Sequence, residues 1–335
     1  MAITLRDIAR HVNLSHATVS FVLNDRRDVA IPETTRLRVM EAAKELGYHP
    51  NRAARALVMG RTRVIGVWTP PLESSYLQKT FQGLTDKFRQ SGFDSLYCTH
   101  SPEFLSRPFE WPVDGIVFVE GSEDRQAEPF PDGVPLVMVG SNLSSGVDQV
   151  NIDLTTGTTE AVMHLLESGR SHIVCISGER DQGEGTVAHT YQKIINSAGH
   201  PARCFSTPDG TCFELLHKVT EFLKTVDKVD GVLCSSDKLT LVTRRALANL
   251  GRTVPTDAAL VGFDYSELSE VQTPSLSAIE IPVAEVVVLA SEMLLARLSN
   301  PQLEYRRETV KTSLRVLQSS SESAPISFEN RTTLR

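Results

Sequence analysis

Near the N-terminus the run Ser15-His16-Ala17-Thr18-Val19-Ser20-Phe21 mixes small, hydroxyl, imidazole and planar side chains within two helical turns. On a helix, His16, Ala17, Ser20 and Phe21 fall on faces that a small core does not need. Such groups fit base edges in a DNA major groove, and an ordinary solvated surface is the alternative. Far downstream, Asp237 and Asp264 each follow a short apolar run, at 231–234 and 259–262, that reads as a strand. Carboxylates at strand ends accept hydrogen bonds from the hydroxyls or amines of a small polar ligand, or they cap the helix that follows. Arg180, after the apolar run 172–177, can clamp a carboxylate or phosphate with paired bonds, or stand in solvent. Tyr76 can stack on a sugar ring or a base, or pack in a core.

Other chemistries find little support. The segment Gly183-Glu184-Gly185-Thr186-Val187-Ala188 satisfies the dinucleotide-binding spacing GxGxxA, which would point to an NAD-dependent oxidoreductase. Its first glycine, however, lies six residues beyond Ser177, and Glu179, Asp181 and Glu184 would repel a pyrophosphate. GxxxxGK[ST], HExxH and GxSxG are absent. The cysteines, Cys98, Cys175, Cys204, Cys212 and Cys234, form no CxxC pair, which favours scattered reduced thiols over a zinc site or a disulfide framework. The expectation is a protein that is not an enzyme and needs no metal or cofactor.

The elements that must position the candidate residues begin with two short helices. Apolar positions Leu5, Ile8, Ala9 and Val12, then Val19, Val22 and Leu23, form two stripes broken at Val12-Asn13-Leu14. Thr4 and Ser15 stand where N-caps belong. A third helix, with Pro32 in its first turn, presents Val39, Ala42, Ala43 and Leu46 and stops at Gly47. This is a helix-turn-helix bundle with one small core. Residues 1–63 carry 11 Lys and Arg against 6 Asp and Glu, a net of +5, whereas the whole chain is at −7, leaving −12 on the remainder. A basic head on an acidic body suits a polyanionic partner for the head.

Two ordered segments carry a resemblance. Leu5-Arg6-Asp7-Ile8-Ala9 with the stretch from Ser15 to Asn24, followed by Tyr48-His49-Pro50-Asn51-Arg52-Ala53-Ala54-Arg55-Ala56-Leu57, closely resemble the LacI family of bacterial transcription regulators. The resemblance implies a hinge helix over about 51–58 that orders on DNA. Leu57 would wedge into the minor groove, kinking the duplex at a cost offset by the larger surface then contacted. Arg52, Arg55, Arg61 and Arg63 would meet phosphates. The residues expected at the DNA are Thr4, Leu5, Ser15, His16, Ala17, Thr18, Ser20, Phe21, Asn24, Tyr48, Asn51, Ala54, Arg55 and Leu57. Phe21 stands where relatives often carry an arginine that binds guanine, so the operator half-site is expected to differ, with His16 and Ala17 setting specificity.

Beyond Arg63, apolar runs alternate with helical patterns, which is the signature of parallel sheets covered by helices. The expected fold is α/β: an all-α head plus a two-subdomain, doubly wound parallel-sheet body like that of periplasmic sugar-binding proteins. The expected domains are residues 1–49 for the DNA-binding head, 50–63 for hinge helix and linker, 64–318 for effector binding and dimerisation, and 319–335 as a tail. Within the body, about 64–154 with 283–308 form one subdomain and about 155–282 with 309–318 the other, the last containing a strand over 309–317. The family implies effector contacts near Arg180, Asp237 and Asp264, to which the reading of residue types adds Tyr76. Two departures bear on them: the arginine of many relatives is matched here by Thr186 or Val187, and bulky Leu239, Thr240, Leu241 and Val242 follow Asp237.

Together these readings predict a cytoplasmic homodimeric regulator, most simply a repressor, with a double-stranded pseudo-palindromic DNA operator and a small polar effector as partners. No secretory h-region or membrane segment is visible. A solute-binding protein on the same body would call for a signal peptide instead of a basic head.

Overall fold

The structure is a computed structural model that describes residues 3–24, 26–48, 56, 60–99, 113–119, 133–141, 146–179, 181 and 183–324. The chain divides into two compact units, Met1–Thr62 and Arg63–Arg335.

In the first unit, α1 (Leu5–His11), α2 (His16–Leu23) and α3 (Glu33–Glu45) enclose Ile8, Val12, Val19, Val22, Val39 and Ala42. The turn between α1 and α2 is made by Asn13 at φ 52°, a left-handed conformation that asparagine tolerates better than most residues. It lets Leu14 N–H donate back to the Ala9 carbonyl at 3.0 Å. Ser15 then caps α2, its Oγ accepting from Thr18 N–H at 3.0 Å. The end of α3 repeats the device with Gly47 at φ 66° and Tyr48 N–H on the Ala43 carbonyl at 2.8 Å. Pro32 is the N-cap of α3 instead of a first-turn residue. The buried Arg36 guanidinium donates to the carbonyls of Arg26 (2.7 Å) and Val29 (3.2 Å), fastening the α2–α3 connection.

Among the described residues, the second unit holds two six-stranded sheets. The first contains β1 (Val64–Thr69), β2 (Asp94–Thr99), β3 (Gly115–Val119), β4 (Leu136–Gly140), β5 (Asp148–Asp153) and β11 (Arg307–Lys311), in the order β11-β5-β4-β3-β1-β2, all parallel. Helix α4 (Ser75–Gln90) and helix α10 (Val283–Ser299) cover one face through Leu84, Phe88, Val286, Ala290 and Leu294.

The second sheet contains β6 (Ile173–Gly178), β7 (Arg203–Thr207), β8 (Gly231–Cys234), β9 (Ala259–Phe263), β10 (Ser277–Glu280) and β12 (Ser313–Arg315), in the order β12-β10-β9-β8-β6-β7, with only β12 antiparallel. One face is covered by α5 (Leu154–Glu167) and α6 (Val187–Ser197), the other by α7 (Cys212–Thr225) and α8 (Asp237–Asn249). The short helix α9 (Glu267–Glu270) follows β9.

The expected strand over 309–317 is corrected. Thr309, Val310 and Lys311 pair with β5 in the first sheet, and only Ser313–Arg315 join the second. Thr312 makes the break. Its buried hydroxyl donates to the Asp153 carbonyl (2.7 Å) and accepts from Gly157 N–H (3.0 Å), so the β11–β12 crossing is pinned to the β5–α5 crossing. A Cβ at Gly157 would lie 2.6 Å from that oxygen, which is why glycine stands there. Edge strands β2 and β7 escaped the sequence reading because only part of each is buried, which removes the continuous apolar run of a central strand.

The first sheet is closed off by a buried ion pair. Arg297, near the end of α10, meets both oxygens of Asp148 at 3.0 Å, while its other N–H groups reach the carbonyls of Pro301, Leu303 and Glu304. Asp148 also accepts from Arg306 N–H at 2.9 Å. The pair therefore ties the start of β5, the end of α10 and the entry to β11. Removing one partner strands a buried charge, so Asp148→Ala is expected to cost about 3–5 kcal/mol in urea unfolding. Replacing both residues with apolar ones of similar volume is expected to cost less than either single change.

Candidate nucleic-acid interface and effector crevice

In the head, Thr4, Ser15, His16 and Ala17 are exposed, while Leu5, Thr18, Ser20, Phe21, Asn24 and Tyr48 are half-buried. Capping explains part of this pattern. The Thr4 hydroxyl donates to Asp7 at 2.6 Å, Thr18 Oγ1 lies 2.8 Å from Ser15 Oγ, and Asn24 Nδ2 donates to Ser20 Oγ at 3.3 Å. Leu5 and Tyr48 pack against the head's apolar core and support the surface from beneath. Phe21 lies under the Arg26 guanidinium, 5.8 Å from its ring centre. What remains outward at the start of α2 is Ser15-His16-Ala17, a small surface that can approach a groove closely. Asn51, Ala54, Arg55 and Leu57 lie outside the described residues, as does Arg180.

In the body, the C-terminal ends of β6, β8 and β9 lie side by side and carry Asp181, Asp237 and Asp264. Asp264 adopts φ 62° directly after β9 and is 8% exposed. Its Oδ2 accepts from Tyr76 N–H at 2.8 Å, across from the second sheet to the first turn of α4. Asp237 opens α8 beneath its N-cap Ser236, and its carboxylate accepts from the backbone of Lys238 (2.6 Å) and of Ser75. Lys238 Nζ stands 3.6 Å from Glu73. Two carboxylates of one subdomain thus satisfy the N-terminus of a helix in the other, where free N–H groups and the helix dipole favour negative charge.

Neither aspartate is the N-cap of the helix that follows it, a place taken by Ser236 and Ser266, and Asp264 accepts instead from the first turn of α4 in the other subdomain. Tyr76 itself is buried among Leu77, Leu84 and Val286, so core packing is the reading realised for its ring. Asp181 was not singled out beyond its charge. Its carboxylate accepts from Val187 N–H at 3.2 Å, at the mouth of α6, whose N-cap Thr186 accepts from His189 N–H at 3.3 Å. That carboxylate sits where a pyrophosphate would have to bind, which disposes of the dinucleotide fingerprint physically. Leu239 and Val242 belong to the core and Thr240 packs against Gly262, while Leu241 is exposed.

Burial governs the charge state of this edge. It pushes Asp264 up to about 6, against the opposing Tyr76 hydrogen bond and with help from Asp237. It pushes Asp181 up to about 6 as well, and raises Asp237. Among the described residues no group of three His, Cys, Asp or Glu side chains could hold a metal ion, and no helix is long and apolar enough to cross a membrane.

A helix-turn-helix head joined to two facing parallel sheets defines a DNA-binding regulator with a ligand-binding body. Residues 4–51 match the model of bacterial regulatory proteins of the lacI family, and residues 162–320 match that of the periplasmic binding protein-like domain. The chain is 26% identical to "Catabolite control protein A" of Priestia megaterium, covering 94% of this chain and 96% of that one. It is 29% identical to "HTH-type transcriptional regulator RegA" of Clostridium saccharobutylicum, over 91% and 95% of the two chains. Among solved structures, a complex of the transcriptional regulator CelR with cellobiose matches at TM-score 0.65 and 25% identity, covering 95% of this chain and 100% of that one. The lac repressor dimer bound to operator and an anti-inducer shares the fold at TM-score 0.80 and 20% identity, covering 96% and 99%. The head is thus a lacI-family helix-turn-helix domain, and the body matches a periplasmic binding protein-like domain.

Asp264 binds its proton more tightly folded (about 6) than at its ordinary value of 3.8, so its contribution to stability is full below about pH 4 and declines as pH rises to about 6. Asparagine keeps an acceptor for Tyr76 N–H and tolerates the left-handed backbone. Asp264→Asn is therefore expected to flatten the pH dependence of unfolding between about pH 4 and 6 and to gain up to about 3 kcal/mol at pH 7. A parent–variant difference that does not change with pH would count against this charge state.

Proposed function

We propose that the chain is a homodimeric transcriptional repressor. Two heads read the half-sites of a pseudo-palindromic operator, and a small polar effector bound between the two sheets of each body sets operator affinity. The observation that carries the reading is the exposed Ser15-His16-Ala17 surface at the start of α2 in a head matching the lacI family. Site assignments follow the same reading. His16 and Ala17 meet base edges, Phe21 touches a thymine methyl or packs, Leu57 enters the minor groove, and Arg55 meets phosphate. Asp181, Asp237 and Asp264 face the effector, joined by Arg180.

The relatives support a sugar-like effector: one is named a ribose operon repressor, and the CelR structure holds cellobiose. Regulation then follows from the link across the crevice. An effector that competes for Asp237 and Asp264 shifts the subdomains, and operator and effector affinities are reciprocally coupled. The chain acts in the cytoplasm, where its DNA is, and catalyses no reaction. Functionally, residues up to about 49 form the head, 50–63 the hinge and linker, and 64–320 the effector and dimer body, with the last subdomain crossing at Thr312 and the tail beginning after 320 instead of 318, because Ser319 and Ser320 are buried and hydrogen-bonded to Leu260 and Ser277.

Selection of genomic fragments by the purified protein at about 150 mM salt, where phosphate contacts alone are weakened, is expected to return a shared palindrome. Only salt-sensitive retention without sequence preference would overturn the operator reading. With that operator in hand, His16→Ala is expected to lose about 1–3 kcal/mol of specific binding and little non-specific binding. Leu57→Ala is expected to weaken operator binding and bending while leaving effector affinity unchanged.

A further inference from the structure

Two cysteines that no assigned role uses stand opposite each other in the second sheet. Cys175 of β6 and Cys204 of β7 are register partners on adjacent parallel strands. Such strands run about 4.8 Å apart, inside the roughly 4.4–6.8 Å between Cα atoms that a disulfide spans. Both side chains point to the face covered by α5 and α6, where Cys175 belongs to the core and Cys204 packs against it. Each thiol alters the acidity of the other, and Ser177 Oγ lies 3.5 Å from Cys204 Sγ.

The neighbourhood holds the pair in place. Tyr191 Oη donates to the Ile173 carbonyl of β6 at 2.6 Å and accepts from Arg203 N–H of β7 at 3.2 Å, clamping the strands one and two residues away from the cysteines. Access is one-sided. β7 is the edge strand and Cys204 is partly exposed, whereas Cys175 is buried. The remaining thiols are elsewhere: Cys234 faces the opposite side of the sheet toward Thr243, Cys98 lies in the other sheet, and Cys212 is exposed on α7.

We propose that Cys204 and Cys175 form an oxidisable dithiol in which Cys204 reacts with a hydroperoxide and Cys175 resolves the product as a cross-strand disulfide. The Cys204 thiolate attacks the peroxide. The O–O bond breaks, an S–O bond forms, and the alcohol (water, for hydrogen peroxide) leaves with a proton. Cys175 then attacks the Cys204 sulfur, and the sulfenic oxygen departs as water carrying the Cys175 proton. Overall, two thiols and one hydroperoxide give one disulfide, one alcohol and one water.

The charge distribution supports that order. The hydrogen bond from Cys175 brings Cys204 down to about 7 against the effect of burial and of Asp181, and the same bond together with burial raises Cys175 well above its ordinary value. Tyr191, whose hydroxyl holds both strands, is buried, and burial raises it further above neutral pH.

The test is titration of the full-length protein with hydrogen peroxide, followed by alkylation in denaturant and peptide mass spectrometry. The expected first product is one cross-linked peptide pair containing Cys175 and Cys204, restored by dithiothreitol, while exposed Cys212 stays alkylatable. Cys175→Ser, or Cys175→Ala where serine unfolds the sheet, is expected to stop at a Cys204 sulfenic acid that dimedone traps. Cys175→Ala is also expected to slow Cys204 alkylation at pH 7 by roughly tenfold as its thiolate fraction falls, whereas Cys175→Ser keeps a donor and slows it less. Oxidation of Cys212 before the pair, or a sulfinic acid on Cys204 with Cys175 still free, would overturn the proposal.

Discussion

The N-terminus of α4 is satisfied by its own N-cap Ser74, which accepts from Leu77 N–H at 3.2 Å, and by groups from outside its subdomain. Its first turn leaves N–H groups unpaired, and Asp264 and Asp237, carried at the ends of β9 and β8, supply the acceptors. That contact connects the two sheets at the edge where parallel strands leave a crevice. It also places charge where burial makes charge costly, so the closeness of the two halves is tied to the protonation of these carboxylates.

For such a contact to act as a signal, each half must behave as a unit. In the first sheet this follows from the apolar layer of α4 and α10 and from the Arg297–Asp148 pair, whose paired bonds and added carbonyl partners make up for desolvation. Between the halves the chain crosses where β5 ends, where β10 ends and at Thr312. The Thr312 hydroxyl holds two of the crossings together, leaving few torsions through which one sheet can turn against the other.

The head is built by more local rules. Asn13 and Gly47 take the left-handed conformations that end α1 and α3, Ser15 starts α2, and a handful of small aliphatic side chains fill the core. Each of these signals acts within a few residues, which is why the helix-turn-helix was legible in the sequence and only the placement of Pro32 shifted. In the body, central strands such as β3 and β4 announced themselves as apolar runs. Edge strands β2 and β7 did not, because little of either is fully buried, and the strand expected over 309–317 split because pairing partners distant in sequence decide where an edge strand belongs.

The candidate site divides along the same line. Residue types, spacing and charge were enough for a basic helix-turn-helix head, a sheet-and-helix body and carboxylates at strand ends, because these follow from periodicity, capping and composition, whereas DNA reading by the head rested on its resemblance to the lacI family. Only the tertiary structure decided that Asp264 caps α4 instead of its own following helix, that the Tyr76 ring belongs to the core, that Asp181 closes the mouth of α6, and that Cys175 faces Cys204. Those outcomes depend on which strands become neighbours, and the buried area and hydrogen bonds that choose neighbours are shared between segments up to 188 residues apart.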